Sequence, residues 1–343
     1  MSICARVESA SAQDLVAVLK SCKELFTLDL DEFTDYLVDE ATLEAIAKHQ
    51  SIETLHINRL INDPLASSAV GVAQPFPHLV SLLIEATPEA AGVILPRLDR
   101  LENLYLSVSG TGSVFPALGK IKTLQAFTFE SASYPLTDHD LSYMKSLENL
   151  ESLQFQNDQQ RSLFHENRVS PEILASVLGS LPKLHTLEIH AHNTLGSSFL
   201  IALGRACRSL KSLRLSGNFT LDNIADETGT LFPCLEWLQL GKVKPSNPPG
   251  RQHQGFVEQD WADQVARHLD RHAPKLHWIY FCLDEKDDIA QMAANAWWFL
   301  WDKREFRAML ERDGTPKEDI DRYVSNFTPV SDWVEAQVSQ DNF

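Results

Sequence analysis

The chain has few of the features that membrane, secreted and nucleic-acid-binding proteins require. Its 343 residues contain no run close to the roughly 18 consecutive apolar residues of a membrane helix. The start, residues 1–8, lacks the basic and apolar regions of a signal peptide. The five cysteines are scattered and odd in number, which favours reduced thiols and a cytoplasmic or nuclear location. We therefore expect no membrane span and no disulfide framework.

Basic residues are also scarce relative to acidic ones. The sequence has 30 Lys and Arg against 47 Asp and Glu, so its net charge is −17. A field of this sign repels phosphate backbones and anionic lipids. We therefore expect neither nucleic acid nor membrane among the partners.

The common catalytic motifs are missing as well. The sequence contains no Gly-x-Ser-x-Gly nucleophile turn, no phosphate-binding loop and no dinucleotide-binding fingerprint. It therefore predicts a protein that is not an enzyme and that needs no cofactor.

A short phrase recurs ten times along the chain. It reads Leu, two variable residues, Leu or a substitute, one variable residue, and then Leu, Ile or Phe; the clearest copy, LKSLRLSGN, runs from Leu210 to Asn218. The copies begin at Leu25, Ile52, Leu79, Leu101, Leu124, Leu150, Leu184, Leu210, Leu235 and Leu276. Most intervals are 22 to 27 residues, and two are longer, at 34 and 41. This phrase and spacing are typical of leucine-rich repeats.

Each phrase predicts a strand whose alternate side chains point in opposite directions. In the copy from Leu184 to His190, Leu187 and Ile189 would enter the core, and the residues between them would face outward. Apolar residues at helical spacing follow several strands, as at 141–147, 171–181 and 197–207. The predicted fold is an α/β leucine-rich repeat solenoid of about ten irregular repeats, with a parallel concave sheet and a helical convex side.

The C-terminal part predicts two helices rather than further repeats. One runs from 287 to 312 and contains Trp297, Trp298 and Trp301; the second extends from Pro316 towards Val324. We interpret these helices as a cap on the last repeat, since a solenoid would otherwise expose its core at that end. A partner-binding amphipathic helix is the alternative, because Trp is enriched at binding hot spots. The chain would then divide into a repeat array, 1–282, and a helical cap, 283–343.

The two long intervals predict surface loops. The first holds the polar stretch 156–170, and the second holds the Pro-rich stretch 242–251, where prolines and a glycine disfavour helix and strand. Cys22 and Cys207 both lie three residues before a phrase. The shared position predicts a shared environment under a helix, so we expect both to serve as small core side chains rather than as reactive thiols.

One strand carries a pattern that could bind a metal ion. Glu188, His190 and His192 alternate along it, and Asp158 holds the position of His192 in the preceding repeat. Carboxylate and imidazole groups at this spacing can bind zinc or iron. The alternative is an ordinary polar surface, since exposed histidines are common on such faces.

The outward positions of the strands divide the concave face into two parts. The early part is polar and mildly acidic, with Thr27, Asp29, Asp31, Thr54, His56, Asn58 and Glu85. The late part offers candidate partner-binding residues, which are Arg214, Trp237, Gln239, Trp278 and Tyr280. Exposed aromatic clusters usually mark binding sites. The alternative is that the C-terminal segment or the Pro-rich loop covers these side chains.

The repeats also resemble those of a known family. The phrases CRSLKSLRLSGN, LPKLHTLEI and FPCLEWLQL, within about residues 10–282, resemble the leucine-rich repeat region of F-box proteins, especially divergent fungal ones. The resemblance implies a substrate receptor of an SCF-type ubiquitin ligase, in which an F-box before the repeats binds Skp1 and so reaches the cullin. Because the helix predicted at 14–21 starts close to Met1, the F-box would be lost, supplied by another chain or missing upstream. The stretch 170–174 mimics an F-box opening, but a repeat phrase follows it, so we interpret it as a repeat helix.

Three hypotheses follow. The first is a non-catalytic scaffold that binds a protein partner on the concave face. The second is the substrate-recognition part of an SCF-type ubiquitin ligase, with Skp1 and a cullin as partners. The third is a metal-dependent activity at Glu188, His190 and His192.

Overall fold

The structure is a computed structural model that describes residues 2–4, 11–30, 35–131, 134–156, 169–190, 195–245, 254–281 and 288–325. The strands are β1 (Ser2–Cys4), β2 (Thr27–Leu30), β3 (Thr54–Ile61), β4 (Ser81–Ala86), β5 (Asn103–Val108), β6 (Ala126–Ser131), β7 (Ser152–Gln156), β8 (Thr186–His190), β9 (Ser212–Phe219), β10 (Trp237–Val243) and β11 (Trp278–Phe281).

Helices lie between most of the strands. They are α1 (Ala12–Ser21), α2 (Glu40–Lys48), α3 (Asp63–Val70), α4 (Pro88–Ile94), α5 (Phe115–Leu118), α6 (Asp138–Met144), α7 (Pro171–Gly179), α8 (Ser197–Ala206), α9 (Gln254–His272), α10 (Asp288–Arg312) and α11 (Lys317–Ser325). Short 3₁₀ helices lie at Asp35–Leu37, Leu95–Arg97 and Asp222–Asp226.

The eleven described strands form one parallel sheet in sequence order, from β1 to β11. Each of the ten predicted phrases supplies a strand that begins two residues after the first Leu or Ile of the phrase. The phrase positions also pair across strands, so that Leu213, for example, lies opposite both Leu187 and Leu238. Strand and helix alternate along most of the chain, and the fold is therefore the predicted α/β leucine-rich repeat solenoid.

The core lies between the sheet and the helices. In the clearest repeat, the three phrase leucines, Leu210, Leu213 and Leu215, are all fully or almost fully buried. Burial of one such side chain contributes about 1.5–3 kcal/mol. Because every repeat contributes an equivalent set to one continuous core, the stability of each repeat depends on its neighbours.

Polar groups fix where the helices begin. The side chains of Ser11, Asp39, Thr87 and Ser170 accept hydrogen bonds from backbone N–H groups in the first turns of their helices. Each such cap contributes about 1 kcal/mol. The Ser170 cap opens α7, so the stretch that mimics an F-box opening is the start of a repeat helix, as predicted.

Two elements depart from the prediction. Strand β1 pairs in parallel with β2 and adds a strand before the first phrase. Helix α9 lies in the 41-residue interval after the Pro-rich stretch 242–251, where no helix was predicted. The loop prediction is wrong for Lys242 and Val243, which belong to β10 because they pair with Asn218 and Phe219 of β9. Residues 157–168 and 246–253 lie outside the described residues.

A pair of glycines explains how β10 continues beyond its phrase. Gly217 has φ 139°, a conformation that favours glycine, and the register between β9 and β10 shifts at Gly241. A Cβ atom on Gly241 would clash with the carbonyl oxygen and the amide nitrogen of Gly217. The two backbones can approach this closely because Gly241 lacks a side chain.

Helix α10 packs against the last repeat, and α11 packs against α10. Helices α10 and α11 match the predicted helices to within one residue at each end. Trp297 of α10 is 1% exposed and belongs to the core, and Met292, Trp298 and Trp301 pack on it partly buried. The predicted boundary between array and cap, at 282/283, lies outside the described residues.

Arg304 of α10 replaces hydrogen bonds that a further repeat would make. In the first repeat, the Ser51 hydroxyl donates to the carbonyl oxygens of Lys23 and Leu25, at 2.7 and 3.2 Å. The equivalent carbonyls of the last repeat belong to Pro274 and Leu276. The Arg304 guanidinium donates to them at 2.8 and 3.2 Å.

We expect Arg304→Met to lower the free energy of unfolding by about 2 kcal/mol. Two backbone carbonyls lose a charged donor, and Asp270 loses an ion pair at 3.0 Å, while the aliphatic packing is largely kept. Chemical denaturation of the purified chain measures this change. The matched control is Arg322→Met, whose guanidinium is 62% exposed and pairs with Asp319; it should change stability by no more than about 0.5 kcal/mol. Equal effects of the two substitutions would contradict the role given to Arg304.

Helix α9 also buries a histidine. His272 is 2% exposed, and neither ring nitrogen makes a hydrogen bond of good geometry within the described part of the chain. Burial lowers the pKa of His272 below its usual 6.5, and the positive charges of Arg271 and His268 lower it further. An interaction with the Gly229 backbone partly opposes this effect by raising the pKa. The neutral ring is therefore the form that the fold accommodates.

This lowered pKa predicts an acid-sensitive fold. As the pH falls from about 6.5 towards the lowered pKa, the unfolded chain gains a proton at His272 and the folded chain does not, so stability decreases. In His272→Gln, the free energy of unfolding should fall less steeply between pH 7.5 and pH 5.5 than in the wild type. The exposed His277→Gln should keep the wild-type slope, and a wild-type slope in His272→Gln would refute the assignment.

Of the two cysteines expected to share a core environment, one is buried and the other is only half-buried. Cys207 is buried, and burial raises its pKa to about 12, so its thiol stays protonated and unreactive. Cys22, at the equivalent helix end, is half-buried. None of the described helices is both long and apolar enough to span a bilayer.

Candidate protein-interaction surface

The last three strands bring the predicted partner-binding residues together. Trp237 of β10 pairs directly with Trp278 of β11, and Gln239 pairs with Tyr280 on one side and with Arg214 on the other. The long interval between β10 and β11 therefore does not separate them. We call Arg214, Trp237, Gln239, Trp278 and Tyr280 the aromatic surface.

The two tryptophans end a row of small side chains. The first outward position of each phrase strand holds, from β2 to β9, Thr27, Thr54, Ser81, Asn103, Ala126, Ser152, Thr186 and Ser212. The same position then holds Trp237 and Trp278. With neighbouring strands about 4.8 Å apart, this row of outward positions changes within one strand from short side chains to indole rings.

Helix α10 contacts this surface without covering all of it. Trp298 of α10 packs edge to face on Trp278, with ring centroids 5.4 Å apart. Trp278 nevertheless remains 41% exposed and Tyr280 remains 40% exposed. Among the described residues, internal cover of these side chains is therefore partial, and Trp298 itself extends the aromatic surface onto α10. Residues 246–253 of the Pro-rich loop and 326–343 of the C-terminal segment lie outside the described residues.

Arg214 joins the aromatic surface to a polar network on the preceding strands. Its guanidinium lies 5.8 Å from the Trp237 ring centre, a cation–π distance, and 3.8 Å from a Glu188 oxygen. Glu188 also accepts a hydrogen bond from Gln154 at 3.3 Å and lies 3.0 Å from the His190 Nε2 atom. The network thus spans four strands, from β7 to β10.

These contacts fix the charge of Glu188. The hydrogen bond to His190 is the main cause that lowers the pKa of Glu188, and the charges of His190 and Arg214 lower it further against the effect of burial. The carboxylate therefore remains ionised at neutral pH and holds the Arg214 guanidinium beside Trp237.

The predicted metal ligands are only partly described. Glu188 and His190 do lie together, but His192 and Asp158 fall outside the described residues. Across the described ranges, no three His, Cys, Asp or Glu residues are grouped so that they could hold a metal ion. The nearby Arg214 also disfavours a cation at Glu188, since like charges repel.

Carboxylates on the early strands have partners within the chain. Asp29 lies 2.7 Å from the His56 ring, Glu85 accepts a hydrogen bond from Ser109 at 2.6 Å, and Glu130 accepts one from Tyr105. They lie on an open sheet face rather than in a closed pocket, where a pKa could be tuned for acid–base catalysis. Asp31 falls outside the described residues.

Sequence reasoning missed two contributions to this surface. Trp298 was predicted only as part of the cap. Its contact with Trp278 could not be predicted, because no sequence pattern shows which side of a helix with three tryptophans faces a particular strand. Lys242 was assigned to a loop, because the local prolines obscured the strand; the Gly217–Gly241 pair was the available signal.

Comparisons with known proteins find similarity only among solved structures. No protein-family model and no curated protein sequence matches the chain. An internalin C2 from Listeria monocytogenes str. 4b F2365 aligns with a TM-score of 0.44 and 16% identity, over 78% of this chain and 92% of the internalin. An internalin (inlF) from the same organism aligns with a TM-score of 0.38 and 17% identity, over 82% and 78% of the two chains.

A third similar structure is the yeast complex of Rad7 and Elc1. It aligns with a TM-score of 0.33 and 15% identity, over 79% of this chain and 83% of the matched chain. Because all three TM-scores are below 0.5, no functional property of these proteins is carried over to this chain.

Proposed function

We propose that this chain is a non-catalytic scaffold that binds a protein partner on the concave face of its solenoid, at the aromatic surface. The observation that carries the proposal is the exposure of Trp278 and Tyr280 beside Trp237. Large aromatic side chains that remain accessible on a rigid sheet contribute more binding energy than most other residues.

The position of the aromatic surface supports the same proposal. Its residues lie on three hydrogen-bonded strands, and Trp298 packs on Trp278 in a T-shaped contact. A partner would therefore meet side chains that are already held in place and would lose little conformational entropy on binding. The open face, without a closed pocket at the described residues, suits a polypeptide better than a small substrate.

Affinity capture from native cell extract tests this function. The bait is the full chain, compared with Trp237→Ala/Trp278→Ala/Tyr280→Ala and with a matched control, Val93→Ala/Ile173→Ala. The control removes two apolar side chains of the convex helices that are 44% and 41% exposed. All baits are first checked for intact folding by circular dichroism.

We expect at least one protein to bind the wild type and the control and to be lost from the triple variant. If every captured protein binds all three baits equally, the concave site is wrong. The ubiquitin-ligase role stays a prediction of the sequence resemblance; Skp1 or a cullin among the proteins retained by the wild type would favour it. The metal-dependent activity stays a prediction too, and zinc or iron analysis of wild type and His190→Ala decides it.

A further inference from the structure

We propose that the aromatic surface binds the ammonium group of a lysine of the partner, methylated or unmodified, at a site formed by Trp278, Trp298 and Asp302. We call these three residues the ammonium site. This inference rests on the proposed function and adds the chemistry of the bound side chain. It follows from the angle between two indole rings and from a carboxylate on the same side of α10.

The two indole rings stand at a right angle to each other beside the last strand. The ring planes of Trp278 and Trp298 are 84° apart, and their centroids are 5.4 Å apart. Trp278 is 41% exposed, and Trp298 is partly buried. Among the described residues, no Lys or Arg lies over either ring. Aromatic faces attract cations, indole most strongly, and rings grouped around one space bind methylated ammonium groups.

The position of Asp302 follows from two contacts of α10. Trp298 contacts Trp278, the first residue of β11, and Arg304 donates to the Leu276 carbonyl oxygen at 3.2 Å. Helix α10 therefore passes the start of β11 between residues 298 and 304. Because residues four apart share one face of a helix, Asp302 follows Trp298 on the side that meets Trp278.

Asp302 is a carboxylate without a cation. It is half-buried, and within the described part of the chain its side chain makes no hydrogen bond or ion pair. Burial raises the pKa of Asp302, as expected for a carboxylate that no cation stabilises. Three cations of the same helix have other partners, which are Lys303 over Phe299, Arg304 with Asp270 and Arg307 with Asp321. A bound ammonium group would supply the missing positive charge.

The aromatic surface already holds one cation by the same chemistry. The Arg214 guanidinium lies 5.8 Å from the Trp237 ring centre, and Glu188, at 3.8 Å, balances its charge. The net charge of −17 also attracts a basic partner from a distance. The chain's own residues 326–343 contain no Lys or Arg, so they cannot supply the ammonium group.

The test is a nuclear magnetic resonance titration of the full chain with tetramethylammonium chloride, followed at the indole N–H signals. Neopentyl alcohol is the uncharged probe of similar shape, and sodium chloride keeps the ionic strength constant. Trp278→Phe and Trp298→Phe assign the two signals. Asp302→Asn removes the carboxylate, and Glu311→Gln, at an exposed position of the same helix, is the matched control.

We expect tetramethylammonium to shift the signals of Trp278 and Trp298 saturably, and neopentyl alcohol to leave them unchanged at the same concentrations. Asp302→Asn should weaken the binding of tetramethylammonium at least about fivefold, and Glu311→Gln should change it less than about twofold. No shift, equal shifts with the two probes, or equal affinities of the two variants would overturn the inference.

The partner found by affinity capture separates this inference from the proposed function. Reductive methylation of the partner's lysines keeps their positive charge, and acetylation removes it. We expect the acetylated partner, checked for intact folding, to bind at least about tenfold more weakly. Tighter binding after methylation would identify a methylated lysine, and weaker binding an unmodified one. If acetylation has no effect while Trp278→Ala abolishes binding, the proposed function stands and the ammonium site is wrong.

Other occupants of the ammonium site are also distinguishable. Arg251 and Lys286 lie outside the described residues. Tighter binding of tetramethylammonium by Arg251→Gln or Lys286→Gln would identify an occupant within the chain. A wild-type dimer that Asp302→Asn dissociates in sedimentation analysis would identify a second copy of the chain. Either result overturns the inference.

Discussion

Replacing Trp297 by Ala should lower the free energy of unfolding by about 3–5 kcal/mol, the usual cost of deleting a buried aromatic side chain. Trp297 is 1% exposed and fills the junction between α10 and the last repeats. The loss would be a large fraction of the roughly 5–15 kcal/mol that stabilises most folded proteins. Denaturant titration, followed by circular dichroism, measures it.

The control for this prediction is on the same helix. Met309 is 43% exposed, and Met309→Ala should change stability by no more than about 0.5 kcal/mol. Because a solenoid is stabilised repeat by repeat, hydrogen exchange in Trp297→Ala should increase first in α9 and β11. If Trp297→Ala lowers the free energy of unfolding by less than about 1 kcal/mol, α10 does not stabilise the last repeat as described.

The second large effect concerns binding. Trp237→Ala and Trp278→Ala should each raise the dissociation constant for the partner found by affinity capture about 30-fold or more. Buried tryptophan hot spots contribute at least about 2 kcal/mol of binding free energy, and about 1.4 kcal/mol corresponds to a tenfold change in affinity. Titration calorimetry with the purified partner measures both constants. The convex variant Ile173→Ala should bind like the wild type.

The single substitutions also separate two roles of Trp278. Its edge contact with Trp298 gives it a share in holding the cap, whereas Trp237 has no such contact among the described rings. Trp278→Ala should therefore lower stability more than Trp237→Ala, while both weaken binding. If both variants fold normally and bind the partner with unchanged affinity, the binding site lies elsewhere than on the aromatic surface.

The sequence predicts the array well because one local rule sets each repeat. Alternation within the phrase decides which side chains enter the core, so all ten predicted strands occur, and equivalent positions such as Trp237 and Trp278 become neighbours. The two C-terminal helices were equally clear, since apolar residues, acidic starts and Gly314 define their extent.

Features that depend on tertiary contact were less predictable. The strand β1 contains only three residues and forms because β2 offers an open edge. The extension of β10 depends on the approach of Gly241 to Gly217, which lies in another repeat. Likewise, the sequence left open whether Trp278 is covered, because the answer depends on where Trp298 meets the sheet.

Hydroxyl-radical footprinting of the complex tests the central claim most directly, because it reports the accessibility of individual side chains in the unmodified chain. On binding of the captured partner, oxidation should decrease at Trp278 and Tyr280 and stay unchanged at Tyr36 and Tyr323, which are 51% and 45% exposed at other places on the molecule. Protection of Tyr323 with unchanged oxidation of Trp278 and Tyr280 would place the partner on the C-terminal helices and contradict a concave binding site.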